Sequence, residues 1–428
     1  MPFLLIIVYL SLYYIRPSEW VPGLLGSPLL LAVGGAALIF LGIGGIARRF
    51  PLMIQGATER LMFGFVAAIA LSHLSHLYVG GAIKSLALFL PSVTGFFLIV
   101  CIVDSRKRLW NLVLLLILLT TILAYEGWQQ HVTGFSIGGL EPIFENKLSI
   151  DGEQFKIARI RWYGVFNDPN DLGLALALVI PFLLDMLLRR RFVVPLVSLP
   201  LILVAIYYTN SRGTVLAGLV AVSSYFIIRY RSLYGVAAGA LLTGMLLFVG
   251  PSRMVSVSAS EESAYGRIEA WYQAYQMFKS NPFFGVGMGR FTEFNDLTAH
   301  NSFVLVMAEL GFVGLFFFTG VFYLPYQWLW KSLFRPTSFI CLEDDLGLIS
   351  AAFASLTGML FAMFFLSRSY ILIPFMLVAY VVAVTRVVGN DGSSSIVLPT
   401  DNLPHLRAIL LLTLMQVVGI NIMVKICL

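Results

Sequence analysis

Apolar runs long enough to cross about 30 Å of hydrocarbon as helices follow one another along the whole chain. They fall near 2–15, 23–46, 61–80, 82–103, 109–127, 171–188, 192–209, 213–229, 233–250, 303–330, 346–366, 370–388 and 405–426. A backbone in lipid must bond to itself, so the pattern predicts an all-α polytopic membrane protein of about 12–13 transmembrane helices. Two polar stretches break the series, 128–170 and 251–302. The expected organisation is N-terminal transmembrane helices over 1–127, a first external loop over 128–170, and central helices over 171–250. A second external loop over 251–302 and C-terminal helices over 303–428 complete it. The run at 2–15 lacks the basic start and small-residue cleavage site of a signal peptide and reads as a retained helix.

Basic residues set the orientation. Arg48-Arg49 with Arg60, Arg106-Lys107-Arg108, Arg189-Arg190-Arg191, Arg229 with Arg231, and Lys331 with Arg335 occupy alternate connections. Short cytoplasmic loops retain positive charge, so these connections and the amino terminus are assigned to the cytoplasm. Both long polar stretches then face outward, which in a bacterium is the periplasmic side of the inner (cytoplasmic) membrane. The net charge of +6 becomes a topology signal that calls for no nucleic-acid partner. With 59% apolar residues, 12% charged and a mean hydropathy of +0.89, the chain expects membrane lipids as its solvent. Cys101, Cys341 and Cys427 lie outside the long external loops and imply no disulfide framework. No CxxC pair, Walker-type phosphate loop, HExxH or GxSxG occurs, which argues against nucleotide-driven transport, zinc proteolysis and serine hydrolysis.

The charges that break the positive-inside pattern gather on the external face. Arg159 and Arg161 lead into Tyr163-Gly164-Val165-Phe166-Asn167-Asp168-Pro169-Asn170-Asp171 at the start of a helix. The tight turn Asn210-Ser211-Arg212-Gly213 holds Arg212 near the lipid boundary. Arg267 opens an expected amphipathic helix on the membrane surface, with Ile268, Trp271, Tyr275 and Phe278 at helical spacing. A glycine-rich stretch over 283–291 then leads to Thr298-Ala299-His300-Asn301-Ser302 at the lip of the next span. A guanidinium is a planar fork of donors matched to phosphate oxygens, so external arginines at a bilayer edge suit a lipid-linked diphosphate. A histidine, with an unperturbed pKa of about 6.5, can take a proton from an attacking hydroxyl near neutral pH. The combination describes glycosyl transfer from a polyprenyl carrier. No Asp-x-Asp pair stands in these loops, so neither a metal nor a cofactor is demanded, and arginines can neutralise the leaving group.

Plainer readings stand beside these. Arg212 also suits a helix end anchored at lipid headgroups, Arg267 a solvated helix face, and His300 a loop histidine next to two good caps. Glu309 is the sharper signal, because an acid inside an apolar run is costly unless paired. Arg368, in Ser367-Arg368-Ser369, reads as a headgroup anchor, and Arg16 beside Trp20 as an interface residue. His73 and His76 read as packed histidines without a third metal ligand, and Gly34–Gly45 as a close-packing stripe.

The order of the motifs resembles the O-antigen ligase and polymerase superfamily. It is carried by Tyr163–Asn170, Ser211-Arg212-Gly213, Arg267 four residues before Trp271, Asn281-Pro282-Phe283-Phe284-Gly285-Val286-Gly287, and His300-Asn301-Ser302 followed by Glu309 and Gly311. The resemblance covers 159–330. It implies a GT-C-type bundle that moves an oligosaccharide or polysaccharide en bloc from undecaprenyl diphosphate to an acceptor hydroxyl, on a lipid (lipid A-core or similar) or a glycan. No metal takes part, and the anomeric carbon inverts. Carried over by position, Arg212 and Arg267, with Arg161 less firmly, hold the donor diphosphate, and His300 activates the acceptor. Glu309 pairs with an arginine, and Asn301 and Asn170 support the site. The His-Asn-Ser and Ser-Arg-Gly motifs lean toward the ligase branch, with an O-antigen or exopolysaccharide polymerase as the alternative. A lipid-linked sugar transporter or flippase is the alternative from another class. It would show paired broken helices near mid-membrane and charges reachable from both sides. The unexplained charges here lie on one face, which favours the enzyme.

Overall fold

The computed structural model describes residues 2–148, 154–230, 258–334, 343–389 and 402–427. Helices α1 (Pro2–Ile15), α2 (Leu29–Ile46), α3 (Ala57–Leu74), α4 (Val79–Ile102) and α5 (Arg106–Thr133) precede a hairpin of β1 (Ile143–Leu148) and β2 (Gln154–Arg159). Next come α6 (Pro169–Ala177), α7 (Ile180–Leu188), α8 (Val193–Thr209) and α9 (Arg212–Tyr230). The chain continues through α10 (Ser258–Ser280), α11 (Ser302–Phe334), α12 (Glu343–Phe365), α13 (Leu372–Gly389) and α14 (Asn402–Cys427). Taking α6 and α7 together, ten spans among the described residues are long and apolar enough to cross a membrane, so this is a multi-pass membrane protein. Helices α1 and α8 are shorter, at 14 and 17 residues. The span expected near 233–250 lies outside the described residues.

Two compact units form, each from three separated segments. The first takes Met1–Val33, Arg106–Val255 and Leu346–Ala362, and the second Gly34–Ser105, Ser256–Asp345 and Met363–Leu428.

Within the first unit α5 packs on α8, and α6 on both α8 and α9. A Cβ at Gly173 would lie 2.5 Å from Thr214 Oγ1, so glycine lets α6 and α9 meet closely. The stretch expected as one span over 171–188 is broken between Ala177 and Ile180. Pro181 carries no N–H and its ring crowds the carbonyl one turn back, that of Ala177. The break also frees the Leu178 carbonyl, which accepts the Ser355 hydroxyl at 2.7 Å in the buried interior. The first long polar stretch is not open coil. Its antiparallel hairpin sets Ile143 opposite Arg159, and Trp162 Nε1 ties it to the Tyr14 carbonyl at 2.9 Å.

In the second unit α3 packs on α4 and α11, α4 on α13, and α11 on α13 and α14. Phe65, Phe89, Phe318 and Phe375 form its aromatic centre, with Phe65 5.4 Å from Phe89 and 5.3 Å from Phe318. The outer side of α14 is bare hydrocarbon, Met415 being 67% exposed, as lipid-facing helices require. Glu59, fully buried, pairs with Arg386, which also donates to the Val100 carbonyl at 2.8 Å. Removing one member of a buried ion pair leaves the other uncompensated. Glu59→Ala is expected to lose about 3–5 kcal/mol of stability, read as thermal unfolding in detergent. The double variant Glu59→Ala with Arg386→Met is expected to recover much of that loss.

Candidate functional site

The 33-residue helix α11 is interrupted at Gly311, whose φ of 64° and ψ of −161° are open only to glycine. Its freed backbone groups are taken up by the glycine-rich turn. Val286 N–H donates to the Ala308 carbonyl at 3.1 Å and Gly287 N–H to the Glu309 carbonyl at 2.9 Å. In return Phe312 N–H donates to Pro282 at 2.8 Å and Val313 N–H to Phe283 at 3.1 Å. The approach is so close that a Cβ at Gly285 would lie 2.3 Å from the Glu309 backbone, and one at Gly311 2.5 Å from that of Phe283.

Side chains secure the same turn. The Glu309 carboxylate accepts the Phe291 N–H at 3.1 Å, and the Tyr370 phenol adjoins it. Burial first, and Glu309 second, hold the Tyr370 phenol well above its usual range, so it stays protonated. Among the described residues no arginine pairs with Glu309, which corrects the expected arginine partnership. The physical reason is that loop N–H groups reach the carboxylate first. His76 Nε2 donates to the Gly285 carbonyl at 2.9 Å, and His73 Nε2 lies 3.1 Å from the Met288 carbonyl. Both histidines are therefore packing and hydrogen-bonding groups, as their sequence context suggested.

His300 stands in the left-handed region with φ of 49°, a conformation that histidine adopts more readily than most residues bearing a side chain. Its neighbours fix it there. Asn301 caps α11, its Oδ1 accepting from Phe303 N–H at 2.9 Å and Val304 N–H at 3.1 Å. Ser302 Oγ accepts the Arg368 N–H at 2.8 Å and donates to the Leu366 carbonyl at 2.7 Å. Trp271 Nε1 donates to the Ala299 carbonyl at 2.8 Å.

Arg267 lies one helical turn before Trp271 in α10, half-buried. The buried stripe of this helix is Ala270, Trp271, Ala274 and Met277, rotated from the expected Ile268, Trp271, Tyr275 and Phe278 because the helix packs on α11 and α14. No hydrogen-bond or carboxylate partner meets the Arg267 guanidinium among the described residues. Burial alone pulls its pKa down. A cation so placed is electrostatically incomplete without an anion.

In the first unit the Asn-Asp-Pro-Asn and Ser-Arg-Gly motifs interlock. Asp168 caps α6 through Asn170 N–H at 2.9 Å. Asn170 Oδ1 accepts Ser211 Oγ–H at 2.7 Å and Arg159 Nη2–H at 3.1 Å. Ser211 in turn caps α9, whose first residue is Arg212, by accepting Thr214 N–H at 3.2 Å. Arg159, 6% exposed, also binds Glu145 and the Thr209 carbonyl at 2.9 Å. Sequence reasoning passed over it because the hairpin that supplies Glu145 was not anticipated. Arg161 points elsewhere, giving Nε to the Glu141 carbonyl at 2.8 Å and Nη1 to Asn167 at 2.9 Å.

Thus Asn170 and Arg159 meet at Ser211, next to Arg212 in the chain, in one unit, while in the other α10, which carries Arg267, bonds the turn of His300 and Asn301, and Glu309 fastens the glycine-rich loop that precedes it. The fold and these clusters define a multi-pass membrane protein with Arg212 and His300 at helix starts and Arg267 inside α10, which begins at Ser258 and so corrects the expected helix start at Arg267. Residues 196–319 match a protein-family model described as O-antigen ligase, which supports the O-antigen ligase superfamily and a ligase- or polymerase-type membrane glycosyltransferase. The matched stretch holds the Ser-Arg-Gly, Arg267, glycine-rich and His-Asn-Ser motifs, with Asn170 just outside it. No curated protein matches the chain.

Gly285→Ala and Gly311→Ala are each expected to cost at least about 2 kcal/mol through strain and backbone overlap, seen as a lower unfolding temperature in detergent. Gly289→Asn, at a positive φ of 79° with open space around it, is expected to unfold near the wild-type temperature.

Proposed function

We propose that this protein transfers a glycan en bloc from undecaprenyl diphosphate to an acceptor hydroxyl, as an O-antigen ligase-like enzyme on the periplasmic face of a bacterial inner membrane. The observation that carries the reading is Arg267, a half-buried guanidinium with no partner among the described residues, on the helix that also fixes the His300 turn. The family match supports the reaction class.

In this reading His300 accepts the proton of the acceptor hydroxyl as its oxygen attacks the anomeric carbon from the face opposite the diphosphate. The anomeric C–O bond breaks, configuration inverts, and undecaprenyl diphosphate leaves with both bonding electrons. Arg267 meets the charge that develops on it, which needs no metal. Arg212, at the first turn of α9, is assigned to donor binding on its place in the Ser-Arg-Gly motif. Arg161 takes a supporting role, because two of its guanidinium nitrogens already hold the first loop. Asn170 acts through its bonds to Ser211 and Arg159, Asn301 through the cap it makes, and Glu309 through the turn it fastens. The ligase form rests on the His-Asn-Ser and Ser-Arg-Gly motifs. A polymerase would use the same groups with a second carrier-linked chain as acceptor.

His300→Ala is expected to cut transfer by about 10²–10⁴-fold while donor binding holds. Arg267→Ala and Arg212→Ala are expected to weaken donor binding and transfer together, by about 10-fold or more. Arg212→Lys should restore only part of either, since a point charge does not reproduce a bidentate fork. The measurement is release of carrier diphosphate from an undecaprenyl-diphosphate-linked glycan in nanodiscs containing EDTA, with lipid and glycan acceptors compared. Equal loss of donor binding in all three alanine variants would contradict the division of roles, and donor binding without release under any acceptor would return the protein to the transporter class.

A further inference from the structure

The segment 297–302 that carries His300 is held by two elements within the second unit. The first is α10. A Cβ at Gly266 would touch Leu297 at 3.4 Å, and Trp271 donates to Ala299 at 2.8 Å, so Arg267 lies between two residues that contact this segment. The second is the turn between α12 and α13, and α12 meets α10 where Phe364 packs on Trp271, ring centroids 5.9 Å apart. Ser367 Oγ accepts Thr298 Oγ1–H at 2.9 Å, Arg368 N–H reaches Ser302 Oγ at 2.8 Å, and Ser369 Oγ–H reaches the Ser302 carbonyl at 2.9 Å. Three successive residues of that turn thus bind the residues flanking His300, and the middle one is an arginine.

We infer that Arg368 is a further donor-binding arginine, contacting the same diphosphate as Arg267 beside the His300 turn. The inference rests on the proposed transferase reading and adds a residue to it. Placement is the argument. A headgroup anchor needs only a long basic side chain at a helix end, and its backbone is free to vary. Here the backbone of residue 368 is pinned to the cap of α11, and Ser367 and Ser369 pin both neighbours, so the side chain starts from a fixed point beside the reacting histidine. The guanidinium remains partly exposed, with Nη1 3.3 Å from the Ser367 carbonyl. Two guanidinium groups beside one turn match an anion with two phosphates better than one with a single phosphate.

The ligand chemistry is a phosphate ester at the bilayer edge, which a carrier diphosphate or a bulk anionic lipid could supply. Binding of undecaprenyl diphosphate is therefore measured in phosphatidylcholine nanodiscs and again in discs containing phosphatidylglycerol. The proteins are wild type, Arg368→Gln, Arg368→Lys, Arg267→Gln and His300→Ala. The expected result is a Kd raised about 10-fold or more by Arg368→Gln in both discs, a smaller rise for Arg368→Lys, and wild-type affinity for His300→Ala. The substitutions keep the backbone N–H to Ser302, and matching unfolding temperatures verify that the turn is intact. Should Arg368→Gln not fold, Arg368→Lys decides, because a bidentate contact and a simple charge differ there.

Wild-type affinity in both Arg368 variants, with a loss in Arg267→Gln, would overturn the inference and leave the transferase reading standing. Full replacement by lysine, with any loss confined to the phosphatidylglycerol discs, would assign Arg368 to headgroup anchoring and likewise overturn it. Failure of the wild-type protein to bind the carrier diphosphate in either disc would remove the transferase reading and the inference with it.

Discussion

Everything at the second-unit site depends on one exchange of backbone hydrogen bonds. A helix crossing lipid cannot leave its N–H and C=O groups bare, so where α11 stops bonding to itself at Gly311 another stretch of chain must enter. The turn over 282–287 does so, and four N–H groups change partners between the two strands of backbone. Once that turn is fixed, the rest follows in both directions. Toward α3 the carbonyls of Gly285 and Met288 meet His76 and His73. Toward the loop the N–H of Phe291 falls to Glu309. Conserving chain length between this anchor and the cap at Asn301 then determines where His300 can sit.

Charge is handled in two ways in the same unit. Glu59 and Arg386 neutralise each other in the interior, where a lone charge is expensive. Arg267 has no such neighbour among the described residues and is instead half-buried near the His300 turn. A site left electrostatically incomplete by its own fold is one that a ligand completes, and the proposed function takes that imbalance as its starting point.

The spans were legible because lipid imposes one rule on every helix, and the apolar runs record it residue by residue. Their interruptions were only partly so. Pro181 marks the break after Ala177 in the ordinary way, yet the run over 171–188 is apolar enough to read as continuous. Gly311 gives less warning, since a lone glycine in an apolar helix usually eases packing, and its unusual angles depend on the distant Gly285. Arg212 and His300 stood out as polar groups at helix starts, and Arg267 as a cation on a helix next to the membrane, although that helix begins earlier, at Ser258. The partners of Glu309 and Arg161 did not, because each meets a backbone group, the Phe291 N–H and the Glu141 carbonyl, of a kind that every residue possesses and no sequence pattern marks. Arg159 escaped for a related reason, its carboxylate partner lying across a hairpin in a stretch whose polarity suggested coil.

The segment order of the two units bears on how such a chain comes into being. The first unit needs Leu346–Ala362, and the second begins at Gly34 but closes only with the chain's last helices. Neither can be completed while the ribosome is still working through the middle of the sequence. Early helices such as α3 and α4 have each other to pack on from the start, but Glu59 is made well before Arg386. Completing either unit therefore requires helices synthesised late to associate laterally with helices synthesised early.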